Sequence, residues 1–420
     1  MKLRRRIAMF TAAAMLIFAA CNSANDESDQ DKKQPTGADD DRIIKVKENG
    51  TRVQVTVWCE GAWQDPRITM GYRLSQSNKC FFDRYVMLYG GRLANQDCAA
   101  DPDRYDGCVK TGFHLHHPAR MLKILQEWET YYKPIQDEGI KFVMALVPAG
   151  GGVAHGTLYS WPFEDVAPWA SLYPANPEYP FGPEQTQKFI DEILEAVDRY
   201  HIDGIGFDDE YGNAPGQTGQ GMATVYPDAI YYASEQDRLA AWQRGGENMF
   251  RFAYELKKQA KEKLNKNLSL EDYEIRYGAY MPEQMEIDGE TVFLKDIIDI
   301  SYEPNYGAWK SRSGEGLAQN HIPRSQFGPV SIDIGSATAL SAPQPANTPS
   351  GIEALMDQHN EGDYGAIMFF SLVSRNSYLQ DYPANYFNPG SDPCVYFSKI
   401  TQKLFGEDVT YIGDDYKLDW

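Results

Sequence analysis

For a chain of 420 residues, basic charge is in short supply: 40 Lys and Arg stand against 60 Asp and Glu, a formal net charge of −20. Nucleic acids and anionic lipid headgroups are held by clustered Lys and Arg, so neither is expected as a partner. Cysteine is scarce as well, with six in all and no Cys-x-x-Cys, which argues against a zinc ribbon or a dithiol redox site. Histidine numbers seven. Its one cluster, His114, His116 and His117, lies just before a helical pattern and is joined by no Cys or acid spacing, so no metal and no cofactor are expected. No Gly-x-Gly-x-x-Gly occurs, so an open nucleotide-binding sheet lacks its signature. After residue 20 no apolar run is long enough to span a bilayer.

What is present begins with a processing segment. Lys2, Arg4, Arg5 and Arg6 precede the apolar residues 7–20, which end Phe18-Ala19-Ala20-Cys21. Small residues before a Cys resemble a bacterial lipoprotein signal, which implies cleavage before Cys21 and lipidation on it. Residues 22–42 are rich in Asp, Glu, Gln, Ser and Lys and hold no aromatic residue, a composition that cannot bury a core. The expected organisation is a signal over 1–20, a tether over 21–42 and one folded domain over 43–420. Acids close behind Cys21 (Asp26, Glu27, Asp29, Asp31) resemble the export tethers of outer-membrane lipoproteins, so a lipid-anchored protein at the cell surface is expected. Without residues 1–20 the chain loses four basic residues and no acid, leaving 36 basic against 60 acidic. Of the five later cysteines, at least one has no partner within the chain.

Eight strand-like runs follow, over 53–58, 85–89, 141–147, 204–208, 274–280, 297–302, 330–334 and 366–370. Helical spacing fills several gaps, over 118–136, 184–200, 235–263, 350–359 and 394–405. Strand and helix in alternation predict a parallel sheet, and eight repeats in one body predict a closed (β/α)8 barrel with long loops after the strands. The active site of such a barrel lies at the C-terminal ends of its strands.

The fourth run reads Ile202-Asp203-Gly204-Ile205-Gly206-Phe207-Asp208-Asp209-Glu210-Tyr211. Period two puts Gly206, Asp208 and Glu210 on one face at the strand's end. Two acids so placed suit a site where one orients the substrate and the other transfers a proton. A random Asp-x-Glu more often caps a helix or hydrates a loop. This longer run resembles the signature of glycoside hydrolase family 18, the chitinases and endo-β-N-acetylglucosaminidases, and its Asp-Asp-Glu-Tyr ending is most similar to the second branch. Asp299-Ile300-Ser301-Tyr302-Glu303 resembles that family's sixth strand, with Glu303 in place of the usual Asp. Residues 366–371 resemble its eighth, with Phe370 where chitinases have Trp.

The resemblance implies substrate-assisted retention, an exception to the two-carboxylate scheme. Glu210 is implied as acid and base, Asp208 as the group orienting the sugar's acetamido N–H, and Tyr302 as the holder of its oxygen. Tyr211, Asn305, Tyr306, Phe370 and Trp58 are candidate sugar contacts, since amphipathic aromatic rings suit sugar faces. The implied partner is an N-linked glycan cut within its GlcNAc-GlcNAc core, with the protein acting as a monomer. A chitinase of the same chemistry and a glycan-binding barrel without turnover remain alternatives. The second rests on Gly206, where chitinases carry an Asp that shares a proton with the next one. Either Asp208 points permanently at Glu210 here, or another group fills the space.

Overall fold

The computed structural model describes residues 44–60, 64–95, 113–117, 119–148, 183–208, 235–273, 278–303, 317–333, 349–370, 372, 392–413, 416 and 418. Eight strand positions form a parallel barrel: β1 (Arg52–Glu60), β2 (Arg84–Asn95), β3 (Lys141–Pro148), β4 (Gly204–Asp208), β5 (Ser269–Tyr273), β6 (Ile300–Tyr302), β7 (Phe327–Gly328 with Ser331–Asp333) and β8 (Ala366–Phe370). Each pairs with the next, and β8 returns to β1 with Ala366 opposite Gln54 and Phe370 opposite Trp58. Closure runs through β7, whose two halves face different neighbours. Ser301 and Tyr302 of β6 pair with Phe327 and Gly328, whereas Met368 of β8 pairs with Ser331. Pro329, between the halves, has no N–H to offer a ladder.

Alternation within the strands builds two cores. Val53, Val55, Val57 and Cys59 of β1 join Tyr85, Met87, Phe142, Met144, Ile205, Phe207, Ile367 and Phe369 in the outer core beneath the helices. Their neighbours Trp58, Val86, Val143, Ala145, Ile300, Ala366 and Met368 fill the interior. Burial on both faces is what a parallel sheet requires. Each fully buried Val, Ile or Phe contributes roughly 1.5–3 kcal/mol. The helix Pro183–Arg199 buries Phe189, Ile190, Ile193, Leu194 and Val197, the stripe its spacing predicted.

Three local expectations are corrected. The helix expected over 118–136 is divided into Ala119–Gln126, Trp128–Tyr131 and Lys133–Asp137. Pro134 falls in the first turn of the third, where a missing N–H is harmless, but it could not sit inside one continuous helix. The fifth strand is Ser269–Tyr273 rather than 274–280, and Gly278–Tyr280 is a 3-10 turn. Its inward positions are Ser269, Glu271 and Tyr273, so a search for apolar residues passes over it. In the sixth run, Leu294–Ile297 is a helical turn and the strand begins only at Ile300.

The N-terminal side of the barrel is fastened by buried lysines. Lys45 and Val46 pair antiparallel with the start of β1. Lys45 Nζ lies 2.8 Å from Asp83 Oδ1 and donates to the Cys80 carbonyl, while Lys47 Nζ donates to the carbonyl of His359. His359 is fully buried, its Nε2 lies 3.1 Å from the Ala366 carbonyl, and Nδ1 has no partner among the described residues. Among the described residues, no helix is long and apolar enough to cross a membrane.

Burial, reinforced by the Lys47 charge, lowers the His359 pKa to about 3. Above about pH 6.5 the ring is neutral in both folded and unfolded chains, and its contribution to stability is complete. As pH falls from there towards about 3, the unfolded chain takes up a proton that the folded chain refuses, so stability is lost. At 1.4 kcal/mol per unit, moving from about pH 7.5 to pH 5 should cost about 2 kcal/mol through this group. His359→Gln should lack that slope in urea melts, leaving the smaller share of half-buried His201, whose pKa burial also lowers.

Candidate active site

The barrel interior is layered, and the layers decide which side chains reach its mouth. Two residues along a strand is one step up the same face. Thr56 and Trp58 are such a pair on β1, Gly206 and Asp208 on β4, Glu271 and Tyr273 on β5. Gly206 is opposite Glu271 in register, and Asp208 is opposite Tyr273, which in turn is opposite Tyr302.

The lower layer is polar. Arg84 Nη1 donates to Glu271 Oε1 at 2.7 Å and to Ser269 Oγ at 2.6 Å, and Nε and Nη2 donate to Gln54 Oε1. Both charged groups are almost wholly buried, with side-chain exposures of 3% and 0%. Burial raises the Glu271 pKa against the opposing pull of Arg84. The Tyr302 hydroxyl belongs to this layer: it donates to Glu271 Oε2 at 3.3 Å and bonds Thr56 Oγ1. Burial first, then the Glu271 carboxylate, raises its pKa well above that of an ordinary phenol. Tyr302 ends β6, as the sequence suggested, but its hydroxyl is engaged beneath the mouth. Glu303, next in the chain, is 1% exposed; its backbone N–H donates to Gly328 and its carbonyl accepts from Ser331 Oγ.

The upper layer sets aromatic rings near Asp208. Asp208 ends β4 and is 3% exposed. Trp58 and Tyr273 touch with ring centroids 5.7 Å apart, and Phe370 packs against the same cluster, half-buried. A Cβ on Gly206 would lie 3.2 and 3.3 Å from Trp58 Cη2 and Cζ2 and 3.4 Å from Val86 Cγ1. The space beside Asp208 is therefore filled, and the group that fills it is the Trp58 indole. Trp58 Nε1 is buried without a hydrogen-bond partner among the described residues. Such a donor costs about 1–3 kcal/mol unless something accepts from it.

Of the residues singled out from sequence, Asp208, Trp58, Tyr302 and Phe370 come together inside one barrel end. Glu210, Tyr211, Asn305, Tyr306 and Cys21 lie outside the described residues. Sequence reasoning missed Arg84, Glu271 and Tyr273. The available signal was the alternation Ser269, Glu271, Tyr273 behind Leu268 and Leu270, a polar-inward strand. Among the described residues, no group of three or more His, Cys, Asp or Glu could hold a metal ion.

The architecture defines a class first: a (β/α)8 barrel with an acid at the C-terminal end of β4. That fold is shared with Bacteroides thetaiotamicron EndoBT-3987, in crystal structures with Man5GlcNAc product and in complex with Man9GlcNAc2Asn substrate. Both are 17% identical to this chain, with TM-scores of 0.52 and 0.50. The matches cover 90% and 87% of this chain but 66% and 68% of theirs, so it spans about two-thirds of their length. The Ostrinia furnacalis Group II chitinase catalytic domain 2 matches more loosely, at 9% identity and a TM-score of 0.44 over 85% of this chain and 97% of its own. No protein-family model matches the chain.

The Gly206 contact yields a packing test. Gly206→Ala should cost about 1–3 kcal/mol through overpacking against the indole. Trp58→Phe in the same chain should return part of that loss. Urea melts of the single and double variants check the coupling, and independent, additive losses would refute the contact.

Proposed function

We propose that the protein is an endo-β-N-acetylglucosaminidase that hydrolyses the GlcNAc-β-1,4-GlcNAc core of N-linked glycans by substrate-assisted retaining catalysis. The observation that carries this reading is Asp208, buried at the C-terminal end of β4 with the Asp-Glu-Tyr run directly after it. The barrel shared with EndoBT-3987 supports it. That protein's substrate holds two GlcNAc units and its product one, the difference that a cut between core units leaves.

In this mechanism the sugar's own 2-acetamido oxygen attacks the anomeric carbon as the glycosidic C–O bond breaks. Glu210 gives its proton to the leaving oxygen. Asp208 accepts a hydrogen bond from the acetamido N–H and stabilises the positive oxazolinium. Water then attacks the anomeric carbon, Glu210 takes its proton, and the acetamido group is released intact. A carboxylate in a dry aromatic setting holds a cation more strongly than one in water, because little solvent screens it. Trp58, Tyr273 and Phe370 supply that setting.

Lipidation at Cys21 and residence at the outer-membrane surface belong to the same proposal. Lys45 and Val46 enter at the N-terminal ends of the strands, opposite Asp208. A tether arriving there would leave the barrel mouth facing away from the membrane.

Incubation with glycoproteins bearing high-mannose or complex glycans, followed by mass spectrometry of both products, tests the proposal. The expected result is a released glycan ending in one GlcNAc and one GlcNAc left on Asn. Cleavage of chitin oligomers alone would move the assignment to chitinase, and glycan binding with no cleavage at all would move it to a binding protein. Glu210→Gln should lower turnover by about 10²–10⁴-fold, the usual share of general acid–base catalysis, while leaving glycan affinity within a few-fold. Asp208→Asn should cost less, because the amide oxygen still accepts from the acetamido N–H.

A further inference from the structure

We propose that Tyr273, rather than Tyr302, supplies the phenol hydroxyl that holds the acetamido oxygen in line for attack. This assignment rests on the endoglycosidase reading above and concerns the same site.

Both tyrosines end a barrel strand, and they are opposite one another in register. Their side chains nevertheless go to different levels. The Tyr302 hydroxyl meets Thr56 and Glu271. One step higher on those same two faces are Trp58 and Tyr273, which meet each other. Tyr302 is thus spent on the floor, where its hydroxyl helps satisfy the buried Arg84–Glu271 pair. Both tyrosines are buried, at 0% and 2% exposure, so the hydroxyl's partners and not its burial separate them.

Tyr273 instead shares a level with Asp208, its direct partner across the β4–β5 ladder. A group that binds an acetamido N–H at Asp208 has its carbonyl oxygen on the opposite side of a planar amide. A hydrogen-bond donor is needed on that side and at the same height. Tyr273 is the phenol at that height. The Trp58 indole, whose N–H is buried without a partner among the described residues, touches the Tyr273 ring in this same layer. A carbonyl oxygen has two lone pairs. One can accept from Tyr273 while the other attacks the anomeric carbon, so no proton leaves the phenol during the reaction.

Tyr273→Phe and Tyr302→Phe keep both rings and remove one hydroxyl each. With a glycoprotein substrate, Tyr273→Phe should lower kcat by about 10²-fold, as loss of one preorganised donor does, with KM within about threefold. Tyr302→Phe should lower the melting temperature and leave kcat within about threefold. Binding of N-acetylglucosamine thiazoline, a stable mimic of the oxazolinium, is measured on the same proteins by calorimetry. Tyr273→Phe should weaken it by about tenfold and Tyr302→Phe by less than about twofold, on the scale of 1.4 kcal/mol per decade.

Cleavage by the unmodified protein with an unchanged Tyr273→Phe variant would overturn the Tyr273 assignment and leave the endoglycosidase reading intact. So would a reversed ranking of the two variants. Absence of cleavage by the unmodified protein would defeat the endoglycosidase reading itself, and the thiazoline measurements would then decide the tyrosine on their own. Unmodified protein that neither cleaves glycans nor binds the thiazoline would overturn both.

Discussion

A guanidinium and a carboxylate meet in the closed interior of this barrel, and the site above depends on how they are accommodated. Arg84 and Glu271 are out of water, where an unpaired charge would cost several kcal/mol. They are tolerated because Gln54 and Ser269 take three more guanidinium donors and Tyr302 reaches the second carboxylate oxygen. Most barrels of this kind fill their interior layers with branched apolar side chains. Here one level is a hydrogen-bonded plate tying β1, β2, β5 and β6 together, and it claims the Tyr302 hydroxyl. The level of Trp58, Tyr273 and Asp208 begins one step higher.

That next level is shaped by volume. β4 carries no side chain at Gly206, and the indole of Trp58 comes across from β1 to occupy the space. An acid at that position would have to displace the ring. Asp208 therefore has aromatic surface beside and across from it. Filling a gap with an indole also stiffens the wall, since interiors packed at crystal density leave little room for alternative rotamers. The two levels differ in kind: a charged pair below ties strands together, and Asp208 lies among rings above.

The scaffold admits wide divergence. At 17% identity the chain keeps the barrel of EndoBT-3987. Outward strand positions need only be apolar and of suitable size to seat the helices, so their identities drift freely. The fold does not fix the chemistry; that is decided by the side chains at the strand ends.

The barrel itself was legible in the sequence because its outer core obeys simple periods. Val53, Val55 and Val57 alternate, residues 141–147 are almost continuously apolar, and Phe189, Ile190, Ile193, Leu194 and Val197 fall on one helical face. The inward face of the fourth strand was legible for the same reason: period two puts Gly206 and Asp208 together whatever surrounds them. The fifth strand was not, because Ser269, Glu271 and Tyr273 look like a loop until Arg84, 185 residues from Ser269 in sequence, arrives to neutralise the acid. Nor does any local pattern say that Trp58 closes over Gly206, or that Tyr302 turns down while Tyr273 stays level with Asp208. Periodicity is a property of neighbours along the chain, and it determined which residues face inward. The level each inward side chain reaches follows from barrel closure and strand register, so only the tertiary structure could decide it.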